Sequence, residues 1–278
     1  MTIIDSHMHI WTMARGDYDW LTPDLGDIYR DFSVDDVTDD LNRHGVDQVV
    51  LVQAAGTTAE TDFMLSVARS NDKVGGVVGW IDFAAPDAVE QVKQRAADPH
   101  MVGLRPMIAD LDDPDWVLRP EFAPVFNAMI DTGLIFDGHA RPDLIGQKVE
   151  LAKRHPDLMI VLNHGGKPPI ASADLTQWKR DCSAIAACPN VISKFSGLRT
   201  EAGDRTDDAA MREATDHLLA TFGPARLMWG SDWPVLTLAG DYAIWFEQTA
   251  RLLDGLSDDD RAAIMGGTAQ NIYFGDPS

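Results

Sequence analysis

Basic side chains are scarce in this sequence: 23 lysines and arginines stand against 44 aspartates and glutamates, a formal charge of −21 at pH 7. A field this acidic repels phosphate backbones and anionic lipid headgroups, so neither nucleic acid nor a membrane surface is an expected partner. Long apolar runs are missing too. None approaches the ~20 residues that cross a bilayer. The chain opens on Thr2-Ile3-Ile4-Asp5 with no basic segment before an apolar one, so the expected location is the cytoplasm. Cysteine is limited to Cys182 and Cys188. Their spacing on a helix turns them to different faces, and neither belongs to a C-x-x-C pair. Reduced thiols are expected rather than a disulfide or a thiolate metal site. Low-complexity stretches, charged tails and Ser/Gly linkers are absent as well, which leaves residues 1–278 as one expected domain.

What is present is an alternation of strands and helices. Short Val/Ile/Leu-rich runs at 3–9, 48–53, 74–81, 102–106, 134–139, 159–164, 191–196 and 226–231 read as strands buried on both faces of a parallel sheet. Between them lie helical patterns. Ser33 is placed to cap a helix carrying Val34, Val37 and Leu41, with Gly45 as its stop. Pro86 and Pro142 suit the first turns of the third and fifth helices. Met211, Leu218, Leu219 and Phe222 form a face of the seventh helix, which Gly223-Pro224 ends, while Phe246, Ala250 and Leu253 mark the eighth. A last, extra helix starts near Ser257 and reaches Gly266 or beyond. Eight such units predict an α/β fold of the closed (β/α)8 TIM-barrel type with a C-terminal extra helix. An open doubly wound sheet would carry a glycine-rich phosphate turn after its first strand; Ile10-Trp11-Thr12-Met13 is not one. The connection 11–32 is long for a barrel loop and is a candidate lid or pocket wall.

In barrels the chemistry sits at the C-terminal strand ends. Here those ends carry His7 and His9, Gln53, Asp82, Arg105, Asp137 and His139, His164, Lys194 and Ser196, and Asp232. His7 and His9 share strand parity and can offer two imidazoles to one ion, with Asp232 completing the set and His139 and His164 as further candidates. His44, His100, His155 and His217 fall on helices or helix-to-strand turns, where solvated or helix-end roles are expected. Arg105 cannot carry the carboxylated-lysine bridge of two-metal sites and would repel a second cation, which leaves room for one divalent metal, zinc first. Arg105 suits a carboxylate or an oxyanion; an ion pair with Asp82 or Asp137 is the equal alternative. Trp11, Trp80 and Trp233 lie beside strand ends, either as core or as platforms for a sugar ring.

The opening Ile4-Asp5-Ser6-His7-Met8-His9-Ile10-Trp11 resembles that of the amidohydrolase superfamily. More narrowly, it resembles the branch holding sugar lactonases that act on L-fucono- and L-rhamnono-lactones. The resemblance continues in order through Val52-Gln53-Ala54-Ala55, Val78-Gly79-Trp80-Ile81-Asp82, Val102-Gly103-Leu104-Arg105-Pro106-Met107, His164-Gly165-Gly166-Lys167-Pro168-Pro169-Ile170, Lys194-Phe195-Ser196-Gly197-Leu198, Leu227-Met228-Trp229-Gly230-Ser231-Asp232-Trp233-Pro234 and Gly266-Gly267-Thr268-Ala269. It implies a barrel hydrolase acting on a small-molecule lactone, with His7 and His9 as metal ligands and Asp232 as ligand or general base. It places His164 in the active site and turns Gln53, Arg105 and Lys167 toward the substrate. Members of this branch differ in whether they need a metal. His139 departs from the pattern, since relatives often have an apolar residue there, and is expected as an added ligand or substrate contact. Lys194 and Ser196, with Trp80 and Trp233, are expected to complete a polar, ring-binding pocket. Ring size and stereochemistry of the lactone are left to loops 11–32 and 110–120, and the oligomeric state is open, a homo-oligomer included. The alternatives in other classes are a lactone isomerase, a metal-dependent decarboxylase and a non-catalytic binding barrel.

Overall fold

The computed structural model describes residues 2–108, 111–139 and 141–275. Among them eight parallel strands follow one another in chain order around one sheet. They are β1 (Ile4–Met8), β2 (Gln48–Val52), β3 (Val74–Gly79), β4 (Met101–Leu104), β5 (Ile135–Gly138), β6 (Ile160–Leu162), β7 (Val191–Phe195) and β8 (Leu227–Trp229). The helices are α1 (Thr38–Arg43), α2 (Thr58–Ala68), α3 (Ala88–Ala96), α4 (Ala123–Thr132), α5 (Ile145–Arg154), α6 (Thr176–Ala186), α7 (Asp208–Phe222), α8 (Tyr242–Leu252) and α9 (Asp258–Ala262). Past its end β8 returns to β1: Asp232 N donates to the His7 carbonyl at 2.8 Å, and His9 N to the Trp233 carbonyl at 2.7 Å. This is the (β/α)8 barrel that the strand count predicts, and α9 begins the extra C-terminal helix. Each expected strand falls within two residues of the observed one. No helix among the described residues is long and apolar enough to cross a membrane.

Strand alternation divides the core into two layers. Ile4, Val50, Val78, Val102, Ile135, Val161, Ile192 and Met228, one from each strand, pack together inside the barrel. Their neighbours Val49, Leu51, Val77, Phe136, Ile160, Leu162, Phe195 and Trp229 pack outward against the helices. The barrel is plugged at its lower end by the C-terminal helix. Ser257 caps α9 by accepting from Asp260 N. The helix then runs on through two wider π turns, beyond Gly266 as the sequence allowed, and lays Ala269 and Tyr273 against the inner layer.

Local expectations hold with three corrections. Ser33 forms a capping box with Asp36, and Gly45 adopts a left-handed conformation at the predicted stop. Pro142 opens the turn that enters α5, but Pro86 precedes Asp87, the cap of α3, and so lies outside that helix. On α7, Met211, Leu218 and Phe222 are buried as expected, while Leu219 is half-buried. The inward face of α8 is rotated by one residue from the expected one: Tyr242, Trp245, Thr249 and Leu252 are buried, and Ala250 is exposed. The reason is a second apolar stripe. Phe246, Ala250 and Leu253 face a groove shared with α9. Cys182 and Cys188 are buried and free.

Gly266 is where the plug touches the first strand, and a Cβ there would run into the Thr2 carbonyl. Backbone cannot yield as a flexible side chain does. Gly266→Ala is therefore expected to destabilise the fold by about 1–3 kcal/mol, read as a fall in the chemical-denaturation midpoint; an unchanged midpoint would refute this docking of the plug.

Candidate active site

The C-terminal strand ends converge because β1 does not keep its register. Ile4 points into the barrel, yet Met8 packs outside it, and the pairing with β2 shifts between Asp5 and Met8. That bulge turns both His7 and His9 inward. Their Nε2 atoms lie 3.1 Å apart. Asp232 Oδ1 stands 3.6 Å from the first and 3.4 Å from the second. Gly230 permits this approach of β8 to β1, since a Cβ at that position would lie 2.9 Å from the Cβ of His7. Below the seam the buried Asp5 carboxylate accepts from Ser231 N at 2.8 Å and from the Tyr242 hydroxyl at 3.0 Å. Burial pushes its pKa up to about 6 against those donors.

His7, His9 and Asp232 have the donor types and spacing to hold an ion, with their ligand atoms all within 4.8 Å of one another. Ligand atoms around a tetrahedral zinc at about 2.0–2.1 Å are about 3.3 Å apart, close to the three separations here. Neither His139 nor His164 joins this cluster among the described residues. Hydrogen bonds assign the protons. His9 Nδ1 faces the Val52 carbonyl at 2.7 Å, so it carries hydrogen and leaves Nε2 as a lone pair toward the centre. His7 differs: its Nδ1 is 3.0 Å from the Lys194 ammonium, which has no lone pair to offer. His7 Nδ1 therefore accepts, its Nε2 carries hydrogen, and that hydrogen is donated to His9. The donor set fits one ion once that proton is displaced.

Lys194 belongs to this support and not to the cleft surface. It is fully buried, and its ammonium donates to Asp137 at 2.7 Å, while Asp137 also accepts from Asn163 at 2.5 Å. Burial lowers the lysine pKa, and the Asp137 carboxylate opposes that shift. Asp137 is thereby committed to Lys194, which corrects the alternative that it serves Arg105. Asp82 is exposed and caps its own turn at Ala84 N, outside the site.

His164 lies across from the pair, with Nε2 3.8 Å from Asp232 Oδ1 and Nδ1 2.8 Å from the Ser196 hydroxyl. Burial drops its pKa to about 3, so the ring is neutral. Burial likewise holds His7 and His139 well below the usual histidine range, with nearby cations adding to it. Burial acts the other way on Asp232, but its polar surroundings, the Lys167 cation among them, outweigh it and keep the carboxyl below its ordinary value, hence ionised. His164, Lys167 and Asp232 all have positive φ, at 52°, 56° and 61°.

A cleft of about 280 Å³ opens above these groups, lined among others by His9, Arg105, His139, His164, Lys167 and Asp232. Lys167 pairs with Glu201 at 3.1 Å. Gln53 is fully buried and reaches the cleft only through Arg105: its amide donates to the Arg105 carbonyl at 2.6 Å, and the guanidinium donates back to the Gln53 carbonyl. Trp80 packs beside Gly56, and Trp233 is buried against Phe32, so neither is a wall of this cleft. Trp11 is core as well, in edge contact with Trp20 and Phe32. The aromatic that does line the cleft is Trp20, from the long loop 11–32. Its indole donates to the Ala54 carbonyl at 2.7 Å. The loop was legible as a wall; which tryptophan serves was not. Asp110 of the second loop lies outside the described residues. Glu60 also escaped the sequence reading. Its buried carboxylate accepts from Ala54 N and Ala55 N and so fixes the turn after β2. Burial raises its pKa to about 7 despite those donors.

Comparison with known proteins now decides the family. The family model described as amidohydrolase matches residues 4–275. The chain belongs to that family. It is 40% identical over 274 residues to an L-fucono-1,5-lactonase of Burkholderia ambifaria, covering 97% of this chain and 94% of that protein. An L-fucono-1,5-lactonase of Burkholderia multivorans is 32% identical, at 97% and 95% coverage. A crystal structure of an amidohydrolase from Burkholderia multivorans with bound zinc superposes with a TM-score of 0.93 at 32% identity, covering 98% of this chain and 99% of that one. This amidohydrolase thus shares its fold over nearly its whole length with that structure.

The site geometry makes the histidine charges testable without substrate. In the folded protein His7, His139 and His164 are expected to show no imidazole titration between pH 5 and 8 by long-range proton–nitrogen NMR. Unfolded histidines take up protons near ~6.5 that these refuse, so the stability they contribute is lost as pH falls below that value. A midpoint near 6.5 for His164 in the folded state would refute the buried, neutral assignment.

Proposed function

We propose that this amidohydrolase opens a sugar-derived lactone, an aldonolactone of the L-fucono- or L-rhamnono-lactone type, to its free acid by water attack on the ester carbonyl. The observation that carries this reading is the convergence of an ionised carboxylate, Asp232, with His7 and His9 on one point of the cleft floor, in a chain 40% identical to a lactone-opening enzyme. A small cleft lined by Arg105, His139, His164, Lys167 and Asp232 supports a small polyhydroxyl ligand.

Asp232, held ionised by its neighbours, is the general base that takes the proton from attacking water. It then returns that proton to the ring oxygen as the ester bond breaks, so no net proton is released until the product acid ionises. His164 is neutral and hydrogen-bonded to Ser196; with Nε2 protonated it donates to the oxygen that becomes negative in the tetrahedral intermediate. Arg105 and Lys167 supply further donors for the carbonyl and hydroxyls, and His139 contacts the ring from the β5 side. Trp20 offers an apolar face to the sugar's C–H groups. Lys194 and Gln53 position His7 and Arg105 from below. One divalent cation, zinc first, would be held by His7, His9 and Asp232 and would supply Lewis-acid polarisation and a lower pKa for water.

Asp232→Asn is expected to lower kcat/KM for L-fucono-1,5-lactone by about 10²–10⁴-fold in a pH-indicator assay; near-wild-type turnover would reject the base assignment. The proton on His7 Nε2 gives a second expectation, independent of turnover. Zinc added to metal-free protein should release about one proton, measured by calorimetry in two buffers of different ionisation enthalpy. Zinc binding with no proton release would refute the Lys194-imposed proton placement.

A further inference from the structure

The cleft has a second compartment. Beside the first, and sharing His164, Lys167, Asp232 and Val235 with it, lies a cavity of about 330 Å³. It is no smaller than the compartment that takes the lactone ring. Its walls come from two loops. The segment after β7 brings Thr200, Glu201 and Asp204, and the segment after β8 brings Val235, Leu238 and Ala239. The two are held together by a buried arginine. Arg199 donates to the Ala239 carbonyl through Nε at 3.0 Å and Nη2 at 2.8 Å, and through Nη1 to Gln248 at 2.5 Å and the Thr206 carbonyl at 3.2 Å. Arg205 ties the same loop to the Ile170 carbonyl at 2.7 Å. The compartment is therefore built and rigid before any ligand arrives.

Its lining is chemically mixed. Val235 and Leu238 are apolar, and Leu238 stands 50% exposed. The segment after β7 carries the carboxylates of Glu201, which pairs with Lys167, and of Asp204. Carboxylate oxygens accept hydrogen bonds and so suit hydroxyl donors. A cavity lined by both apolar side chains and carboxylate acceptors suits a pyranose ring, which has C–H groups on its face and hydroxyls on its rim. A bare six-carbon lactone seated on Asp232 and His164 fills one compartment only.

We propose that the second compartment binds an uncharged polyhydroxyl unit joined to the lactone, and that the preferred substrate is a glycosylated aldonolactone. This deepens the lactonase reading and rests on it. The reacting ester sits at Asp232 as before. The glycosyl group lies between Leu238 and Asp204, and its glycosidic bond stays intact.

The test compares L-fucono-1,5-lactone with its three mono-hexosyl derivatives at O-2, O-3 and O-4, made by oxidising the reducing disaccharides. At least one derivative is expected to exceed the parent in kcat/KM by about tenfold, mainly through KM. Leu238→Trp, which fills the compartment from an exposed position, should bring that ratio back to about one, and Asp204→Ala should lower it severalfold. All three derivatives at or below the parent, or a preference that survives Leu238→Trp, would overturn the second compartment while leaving the lactonase reading intact. No turnover of the parent or of any derivative would remove the lactonase reading and this inference with it.

Discussion

The structure turns on the seam where the end of β8 meets β1. Two backbone hydrogen bonds, Asp232 N to His7 O and His9 N to Trp233 O, close the barrel and in the same stroke set the carboxylate against the two imidazoles. Closure and site assembly are thus one event. Around the seam, the buried Asp5 carboxylate ties β1 to Ser231 and to Tyr242 on α8, and Trp245 donates to the Gly230 carbonyl at 2.9 Å. A side chain at Gly230 would push the strands apart, and the three groups that define the floor would separate with them. Convergence there is a backbone property first and a side-chain property second.

Charge is handled in the opposite sense inside and outside. The chain as a whole carries a large negative charge, yet the cleft is faced by Arg105 and Lys167 and by histidines that burial keeps neutral. The outer field does not draw anions in from solution, and it favours departure of an anionic product, weakly once salt screens it. Beneath the cleft, the fully buried ion pair of Lys194 with Asp137 acts through contact. Its ammonium faces a ring nitrogen that a carbonyl or carboxylate would face in an ordinary ligand histidine. An ion held by His7, His9 and Asp232 would have to displace a proton from His7 but none from His9.

Much of this was legible in the sequence. The eight apolar runs fixed the barrel because strands buried on both faces leave a continuous signal, and barrel logic then pointed to their C-terminal ends. His7, His9, His164 and Asp232 followed from that alone. Depth along the strand was not legible. Lys194 and Ser196 share parity and both point inward, but two residues of strand are about 6–7 Å, enough to place Ser196 on His164 at the cleft floor and Lys194 beneath His7. Gln53 misled for a related reason: a strand-end amide can be spent on a neighbouring backbone, here that of Arg105. The bulge in β1 was not legible, since nothing in Asp5-Ser6-His7-Met8 tells at which residue its pairing with β2 shifts. Glu60 was hidden because its burial comes from a tertiary turn, and nothing in a helix start distinguishes a cap from a pin.

Backbone strain gives the last link between fold and chemistry. Among the described residues four without a glycine's freedom have positive φ: His164, Lys167, Ala173 and Asp232. Three of the four face the reacting centre. Such conformations cost on the order of 1–3 kcal/mol each and persist only where the surroundings over-determine them. Here they are so held: Lys167 N bonds the His164 carbonyl at 2.8 Å, Asp232 N bonds the His7 carbonyl, and Trp178 donates to the Gly165 carbonyl at 2.9 Å. A residue in an extended conformation at position 232 would carry its carboxylate along the strand direction, away from the imidazoles. The left-handed turn bends it back over the barrel axis instead. These turns set the direction of the Asp232 carboxylate, and the helices outside them supply the rigidity that keeps it there.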